Sequence, residues 1–230
     1  AADYPVIAMD DPRTFELKSS TDPLAINGDY ALTMFGHFNH ENAAAALLAT
    51  AWLETPRNHM KESLSKCVIP GRMTLFDLPN GALAFVDFAH NYLSLLSMGQ
   101  LAKEIRPHGK AIVMTGSAGG KALSRRKDMG LAITQIYDVA ILTSDDPNFE
   151  NPNAIADEIQ QAIENPEVAV YREMDREQAI YLALSLAGPN DVVVLAGKGN
   201  EASMKIEGHD APYDGDAIYA QKWIATQKEA

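Results

Sequence analysis

The sequence has little cysteine, little positive charge and no long apolar run. Its one cysteine, Cys67, excludes an intrachain disulfide, so nothing indicates an oxidising compartment. Lysines and arginines number 19 against 31 aspartates and glutamates, and the formal charge of −12 argues against duplex nucleic acid and anionic membranes as partners. The apolar run at 43–49 is far below the roughly 18 residues of a membrane span. With no signal peptide visible, we expect a cytoplasmic monomer with no nucleic-acid or membrane partner.

The remaining composition, 47% hydrophobic and 22% charged residues, is that of an ordinary globular protein. Up to residue 68 the pattern predicts a β-hairpin or meander at 12–34, a helix at 42–53 and a polar linker at 54–66. After that, short apolar runs without alternation are separated by helical patterns. Strands are predicted at 83–86, 111–115, 138–143, 168–171 and 191–195, and helices at 92–105, 124–137, 154–164 (capped by Asn153), 176–187 and 216–228. This order predicts an α/β fold with a Rossmann-like, mostly parallel sheet and helices on both faces.

Ligands of such sheets bind beyond the carboxyl ends of the strands, and polar clusters stand there in this sequence. They are Asp87–Asn91, Gly116–Lys121, Asp145–Asn148 and Gly197–Glu201. Together they predict a crevice for a charged small molecule.

Each cluster also has a simpler interpretation. The turn at 116–121 is not a phosphate-binding P-loop, because the pattern requires Gly at 115 and Ser or Thr at 122. It holds an anion on its backbone amides, or it is only a tight turn. Asp145 and Asp146 otherwise face solvent beside a helix cap, and Lys198 with Glu201 forms a surface pair of little value. The histidines at 37 and 40 lack metal-ligand spacing, and we expect no metal site.

Five motifs in order resemble the C-terminal part of the Mur ligases, in particular the branch that adds the third amino acid of the peptidoglycan stem. The motifs are Gly36–Ala43, Pro70–Met73, Val86–Asn91, Asp145–Asn148 (with Glu150 and Pro152 behind it) and Ala196–Glu201.

The resemblance implies an ATP-dependent acid–amino-acid ligase. Such an enzyme phosphorylates a carboxylate of UDP-N-acetylmuramoyl-L-alanyl-D-glutamate, and the amine of a free amino acid attacks the acyl phosphate. The family's phosphate loop, Mg²⁺ ligands and UDP-binding domain would lie upstream of residue 1. We therefore expect a C-terminal fragment that is inactive alone and contains no catalytic residue. Residues 1–68 would be a remnant of the central ATP-binding domain, and residues 69–230 the amino-acid-binding domain.

The resemblance also implies roles for individual residues. Asn39 and Asn42 would lie near adenine, Arg72 at the phosphates and Asp87 at the ribose hydroxyls, with His90 nearby. The incoming amino acid would be held by a second set of residues: Asp145, Asp146, Asn148, Gly197 and Glu201. Lys121 stands where family members usually carry an arginine for the α-carboxylate, so it supplies the charge without the planar fork.

The identity of the amino acid follows from charge. Members that use diaminopimelate typically have an arginine at the place of Asn148. Here a distal carboxylate would meet the acids Asp145, Asp146 and Glu201, whereas an ammonium would find opposite charge. We expect L-lysine, with ornithine the nearest alternative. The rival functions are a related ligase such as folylpolyglutamate synthetase, a cyanophycin-type or amidotransferase-associated homologue, and a non-catalytic Rossmann-like nucleotide-binding module.

Overall fold

The computed structural model describes residues 3–121 and 123–229, and the chain divides into two compact units, residues 1–69 and 70–230. Among the described residues, no helix has both the length and the apolar character that crossing a membrane demands.

The first unit is a small antiparallel sheet packed on two helices. Its elements are β1 (Val6–Ala8), β2 (Thr14–Leu17), β3 (Gly28–Ala31), α1 (His37–Trp52) and α2 (Arg57–Lys66). The strands pair in sequence order, as the predicted meander requires. Alternation along β2 turns Phe15 and Leu17 inward, where they share a core with Leu47 of α1 and Met60 of α2.

The second unit is a six-stranded sheet with helices on both faces. Its elements are β4 (Thr74–Asp77), β5 (Leu83–Asp87), α3 (Tyr92–Ile105), β6 (Ala111–Thr115), α4 (Ser124–Ile136), β7 (Val139–Leu142), α5 (Pro152–Gln161), β8 (Ala169–Arg172), α6 (Arg176–Ser185), β9 (Val192–Ala196), β10 (Ser203–Ile206), β11 (His209–Pro212) and α7 (Asp216–Glu229). The strand order is β4-β5-β9-β6-β7-β8, and only the β4–β5 pairing is antiparallel. The predicted fold class is confirmed.

The central strands are buried on both faces. Every residue of β6, β7 and β9 is buried, which explains why these runs read as apolar without alternation. Ile112, Ile141 and Leu195 pack against α6 and α7. Neighbours of opposite parity, such as Val113 and Val194, face the other side of the sheet, where α3 contacts β6 and β9.

The pairing register of the parallel strands places their carboxyl ends at the same edge of the sheet. Asp87 at the end of β5 pairs with Ala196 at the end of β9, and Thr115 of β6 pairs with Leu142 of β7. The loops that follow these strands therefore begin side by side.

Two local predictions were wrong, and one strand and one hairpin were missed. The predicted linker at 54–66 contains helix α2, which buries only Met60 and so shows no apolar stripe in the sequence. The helix predicted at 154–164 begins at Pro152, and its cap is Asn151, whose side chain accepts a hydrogen bond from the N–H of Asn153. The edge strand β4 and the β10–β11 hairpin were not predicted at all.

Candidate functional site

The crevice is built where β6, β7 and β9 end. Asp145 follows β7 and reaches across the end of β6 towards the turn after β9. A Cβ added to Gly116 would lie 3.0 Å from the Asp145 Cβ, and one added to Gly197 would lie 2.4 Å from the Asp145 Oδ2. Gly197 also has a φ of 116°, a conformation that suits glycine. The two glycines therefore leave the space that the Asp145 side chain occupies.

Asp145 is a buried carboxylate in need of a donor. The residue is 9% exposed, and its carboxylate forms no hydrogen bond or ion pair with another described residue. Burial raises the pKa of this carboxyl group, and the more distant charges of Arg176 and Lys198 only partly offset the rise. Burying a carboxylate without hydrogen bonds is costly. A ligand ammonium placed here would be stabilised by filling that position.

Lys198 is a buried cation that joins two loops. Its side chain is 1% exposed, and its Nζ lies 2.8 Å from Asp146 Oδ1 and 2.6 Å from Glu201 Oε2. Burial lowers the pKa of Lys198, but the two carboxylates raise it more. Burial likewise raises the pKa of Asp146, and Lys198 with the N–H of Lys205 brings it below its ordinary value. The simpler interpretation of Lys198 and Glu201 as a surface pair is therefore wrong, and so is that of Asp146 as a freely solvated acid.

Arg176 holds the residues at which the loop after β7 and the turn after β9 begin. Its Nε and Nη2 donate to Asp216 at 2.9 and 2.7 Å, and both side chains are almost completely buried. The guanidinium also donates to the carbonyl oxygens of Ser144 and Ala196, at 3.1 and 2.9 Å. These carbonyls immediately precede Asp145 and Gly197. Arg176 therefore sets the positions from which both crevice residues emerge.

The glycine-rich turn is tied to the loop after β7. Arg126 is fully buried and forms a bidentate ion pair with Glu150, with both distances 2.7 Å. Glu150 also accepts the N–H of Gly120 at 2.8 Å, and the N–H of Gly119 donates to the Asp146 carbonyl at 3.0 Å. Two amides of the turn are thus already engaged, which favours the tight-turn interpretation over an anion cradle.

Lys121 and Asn148, which were also predicted to bind the amino acid, lie in different environments. Lys121 ends the glycine-rich turn and is exposed, and its positive charge helps to lower the pKa of the Asp146 carboxyl group. Asn148 is held by the β10–β11 hairpin, because its side-chain oxygen accepts the N–H of Gly208 at 2.9 Å. Its backbone N–H donates to Lys205 and its carbonyl accepts from Glu207.

A second cluster forms where β5 ends. Asp87 Oδ2 accepts the N–H of Met73 at 2.9 Å, and burial raises the pKa of this carboxyl group. The guanidinium of Arg72 lies 4.8 Å from the centre of the Phe88 ring, and it forms no ion pair within the described part of the chain. His90 Nδ1 lies 2.7 Å from the Phe88 carbonyl oxygen. The structure therefore brings Arg72, Asp87 and His90 together.

Comparison with known families gives the same assignment as the motifs. A family model described as "Mur ligase, glutamate ligase domain" matches residues 71–199. This is more than half of the chain. The chain belongs to the Mur ligase family.

Two relatives of this Mur ligase chain carry the same name. The UDP-N-acetylmuramoyl-L-alanyl-D-glutamate–L-lysine ligase of Enterococcus faecalis is 40% identical over 219 residues, which are 95% of this chain and 43% of that protein. The protein of the same name from Streptococcus sanguinis is 43% identical over 199 residues, 86% of this chain and 40% of that protein. The chain thus spans less than half the length of these curated relatives.

A solved Mur ligase structure has the same fold. It is that of a UDP-N-acetylmuramoyl-L-alanyl-D-glutamate–2,6-diaminopimelate ligase, with a TM-score of 0.67 and 27% identity. The match covers 99% of this chain and 46% of the other.

The predicted site residues fall into four groups in this Mur ligase chain. Asp145, Asp146, Gly197 and Glu201 lie together beyond the ends of β7 and β9, and Arg72, Asp87 and His90 form the cluster at β5. Lys121 and Asn148 lie in the neighbouring loops. Asn39 and Asn42 belong to the first unit, where Asn39 is buried and donates from Nδ2 to the Phe35 carbonyl at 2.8 Å, and Asn42 is exposed.

Sequence reasoning missed the buried cations that organise the crevice. The sequence did not predict that three cations, Arg126, Arg176 and Lys198, are buried and paired with acids. Their acidic partners lie 24, 40 and 52 residues away along the chain, at Glu150, Asp216 and Asp146. Only the motif residue Glu150 carried a signal, because a glutamate recurs at that place in the family pattern.

Proposed function

We propose that this chain is the C-terminal part of an ATP-dependent ligase that joins L-lysine to UDP-N-acetylmuramoyl-L-alanyl-D-glutamate. The two relatives at 40% and 43% identity carry L-lysine in their names. Residues 1–68 would then be the end of the central ATP-binding domain, and residues 69–230 the domain that binds the amino acid. The phosphate loop and the Mg²⁺ ligands would lie in the part of the protein upstream of this chain.

The observation that carries the proposal is the open Asp145 carboxylate in an acidic crevice. Asp146 and Glu201 share one cation, Lys198, and Asp216 is matched by Arg176. Asp145 has no ion pair of its own among the described residues. The cluster therefore has more carboxyl groups than cations, and a ligand ammonium beside Asp145 would offset the burial that raises the pKa of this carboxyl group.

This charge distribution favours lysine over diaminopimelate. Both amino acids bring a distal amine, but diaminopimelate also brings a distal carboxylate. That carboxylate would approach Asp145 and Glu201, and the cation between the loops, Lys198, is already engaged by two acids. An unpaired carboxylate desolvated beside like charges is strongly disfavoured. The crevice thus favours the distal ammonium of lysine and disfavours the distal carboxylate of diaminopimelate.

The cluster at β5 suits a nucleotide. Arg72 presents an unpaired, exposed guanidinium whose planar fork matches phosphate oxygens, and it is steadied by the Phe88 ring. Asp87 uses Oδ2 to hold the backbone of Met73, and this contact fixes the segment that carries Arg72. The His90 ring lies edge-on to the same Phe88 ring, with 4.9 Å between the ring centres. We assign Arg72 to the phosphates and Asp87 with His90 to the ribose side.

The residues of this chain then bind and orient rather than transfer the phosphoryl group. ATP, when bound, supplies the phosphoryl group that activates the carboxylate of the dipeptide substrate. Asp145 holds the distal ammonium of lysine, and Lys121 is available to its α-carboxylate. The free α-amine is thereby directed to the activated carbonyl, and orientation of this kind contributes strongly to the rate of a two-substrate reaction.

The test is a ligation assay with the full-length protein that contains this chain. L-lysine, L-ornithine and meso-diaminopimelate are supplied at equal concentration with ATP, Mg²⁺ and the UDP-linked dipeptide, and the product mass and ADP release are measured. We expect the highest kcat/KM with L-lysine. Asp145→Asn should raise the KM for lysine about 10- to 100-fold, since a hydrogen bond to a charged group is worth roughly 1.5–3 kcal/mol. The KM for ATP should stay unchanged.

Asp210→Asn is the matched control, because Asp210 is an exposed acid of the β10–β11 hairpin. It should leave the KM for lysine unchanged. A kcat/KM that favours diaminopimelate would overturn the choice of amino acid. Binding of ATP without ligation of any amino acid would point instead to a nucleotide-binding module.

A further inference from the structure

Lys198 lies within the motif Ala196–Glu201, but the resemblance assigned it no role in binding the amino acid. Its side chain is 1% exposed, and its Nζ contacts one acid from the loop after β7 and one from its own turn after β9. That single ammonium is shared by Asp146 from the first loop and Glu201 from the second. Lys198 is therefore the direct ionic link between the two loops that enclose the crevice.

The ammonium of Lys198 is needed because Asp146 and Glu201 approach each other around it. Their contacting oxygens lie 2.8 and 2.6 Å from the same Nζ. Asp146 cannot turn away easily, since its Oδ1 also accepts the N–H of Lys205 at 2.8 Å and its backbone has a φ of 47°. Without a cation between them, two carboxylates at this distance repel each other.

The same arrangement determines which acid remains for a ligand. Lys198 donates to Asp146 and Glu201 but not to Asp145, and Arg176 donates to Asp216 instead. Asp145 is left as the carboxylate of the crevice without a donor among the described residues. A substrate ammonium therefore does not have to displace Lys198.

We infer that Lys198 is a positioning residue for the amino-acid substrate. It holds Asp146 and Glu201 together and offsets part of their negative charge, and it thereby directs the substrate's ammonium to Asp145. The inference rests on the proposed function, because it assumes that an amine-bearing substrate enters this crevice.

The test compares Lys198→Met with Lys205→Met in the full-length protein. Methionine keeps most of the buried stem and removes the charge. Lys205 is the matched control, because its side chain is exposed and pairs only with Asp210 among the described residues, and its backbone N–H to Asp146 survives the substitution. The readouts are the KM for lysine, the KM for ATP, kcat and the thermal unfolding midpoint.

We expect Lys198→Met to raise the KM for lysine by about tenfold or more, because a substrate ammonium that is no longer directed to Asp145 loses a charge-assisted contact there. The KM for ATP should change less than about threefold, and Lys205→Met should behave as wild type. A merely structural lysine would lower the unfolding midpoint and the active fraction, and so kcat, without moving the KM for lysine. That result would overturn the inference.

A second variant covers the possibility that Lys198→Met does not fold. Lys198→Met combined with Glu201→Gln removes one charge of each sign, which relieves the repulsion with Asp146. It should fold, and its KM for lysine should exceed that of Glu201→Gln alone; equal KM values in these two variants would also refute the positioning role. A wild-type protein that ligates no amino acid would instead count against the proposed function.

Discussion

Replacing Arg176 with methionine should destabilise the second unit more than the loss of a surface ion pair does. The guanidinium makes four hydrogen bonds: two to Asp216, one to the Ser144 carbonyl and one to the Ala196 carbonyl. The side chains of Arg176 and Asp216 are 1% and 0% exposed. The variant therefore leaves a buried carboxylate without its cation, and two buried carbonyls without a donor.

The magnitude follows from that burial. Removing one partner of a buried ion pair costs about 3–5 kcal/mol. For a unit of this size, each kcal/mol lowers the unfolding midpoint by roughly 2–4 °C, so a loss of about 4 kcal/mol corresponds to roughly 8–16 °C. The exposed pair of Lys222 and Asp214, with the same 2.7 Å separation and exposures of 49% and 54%, is the matched comparison. Lys222→Met should cost less than about 1 kcal/mol.

Thermal unfolding and urea titration of the chain measure both variants. The double variant Arg176→Met with Asp216→Leu should recover part of the loss, because apolar replacement of both charges removes the uncompensated carboxylate. Equal midpoints for Arg176→Met and Lys222→Met would refute the argument, and so would a double variant less stable than Arg176→Met.

Two further predictions concern the loop after β7 and the turn after β9. Arg126 lowers the pKa of the Glu150 carboxyl group from 4.5 to about 2, so its contribution to stability should be complete above pH 4.5 and lost as the pH falls towards 2. Urea unfolding should show the gap between wild type and Glu150→Gln closing over that range, and a gap that stays constant would contradict it. Gly197→Ala should raise the KM for lysine in the full-length protein, because its Cβ would lie 2.4 Å from the Asp145 Oδ2. Gly120→Ala is the control, since its φ of 68° adds backbone strain but nothing lies within 4 Å of its Cβ; equal effects of the two would disprove the steric reason.

The buried strands were the most predictable part of the fold. β6 was predicted at its observed bounds, and β7 and β9 within one residue, because a strand covered on both faces must be apolar throughout. Elements with little burial were not predictable in this way. Helix α2 buries a single side chain, and the hairpin strands β10 and β11 contain no fully buried residue, so neither has a periodic apolar pattern.

The meeting of the motif residues at one edge of the sheet was predictable for a topological reason. Parallel strands in one sheet end at one edge, so motifs that follow different strands must meet there. What the spacing could not predict is the pairing of charges within the crevice. Lys198 stands three residues from Glu201, which alone suggests a surface pair, and its second partner Asp146 comes from another strand. Burial of the lysine is a property of the folded sheet and leaves no local pattern.

Asn148 shows how the structure changes the argument for substrate choice. From the sequence it was the residue whose neutral side chain excluded a distal carboxylate. In the structure its backbone has a φ of 54°, a region that asparagine tolerates better than most residues, and its side-chain oxygen holds the N–H of Gly208. An arginine here would have to adopt the left-handed backbone and give up the tether to the β10–β11 hairpin. The preference for lysine is therefore better argued from Asp145, the acid without a donor among the described residues, while Asn148 fixes the hairpin beside it.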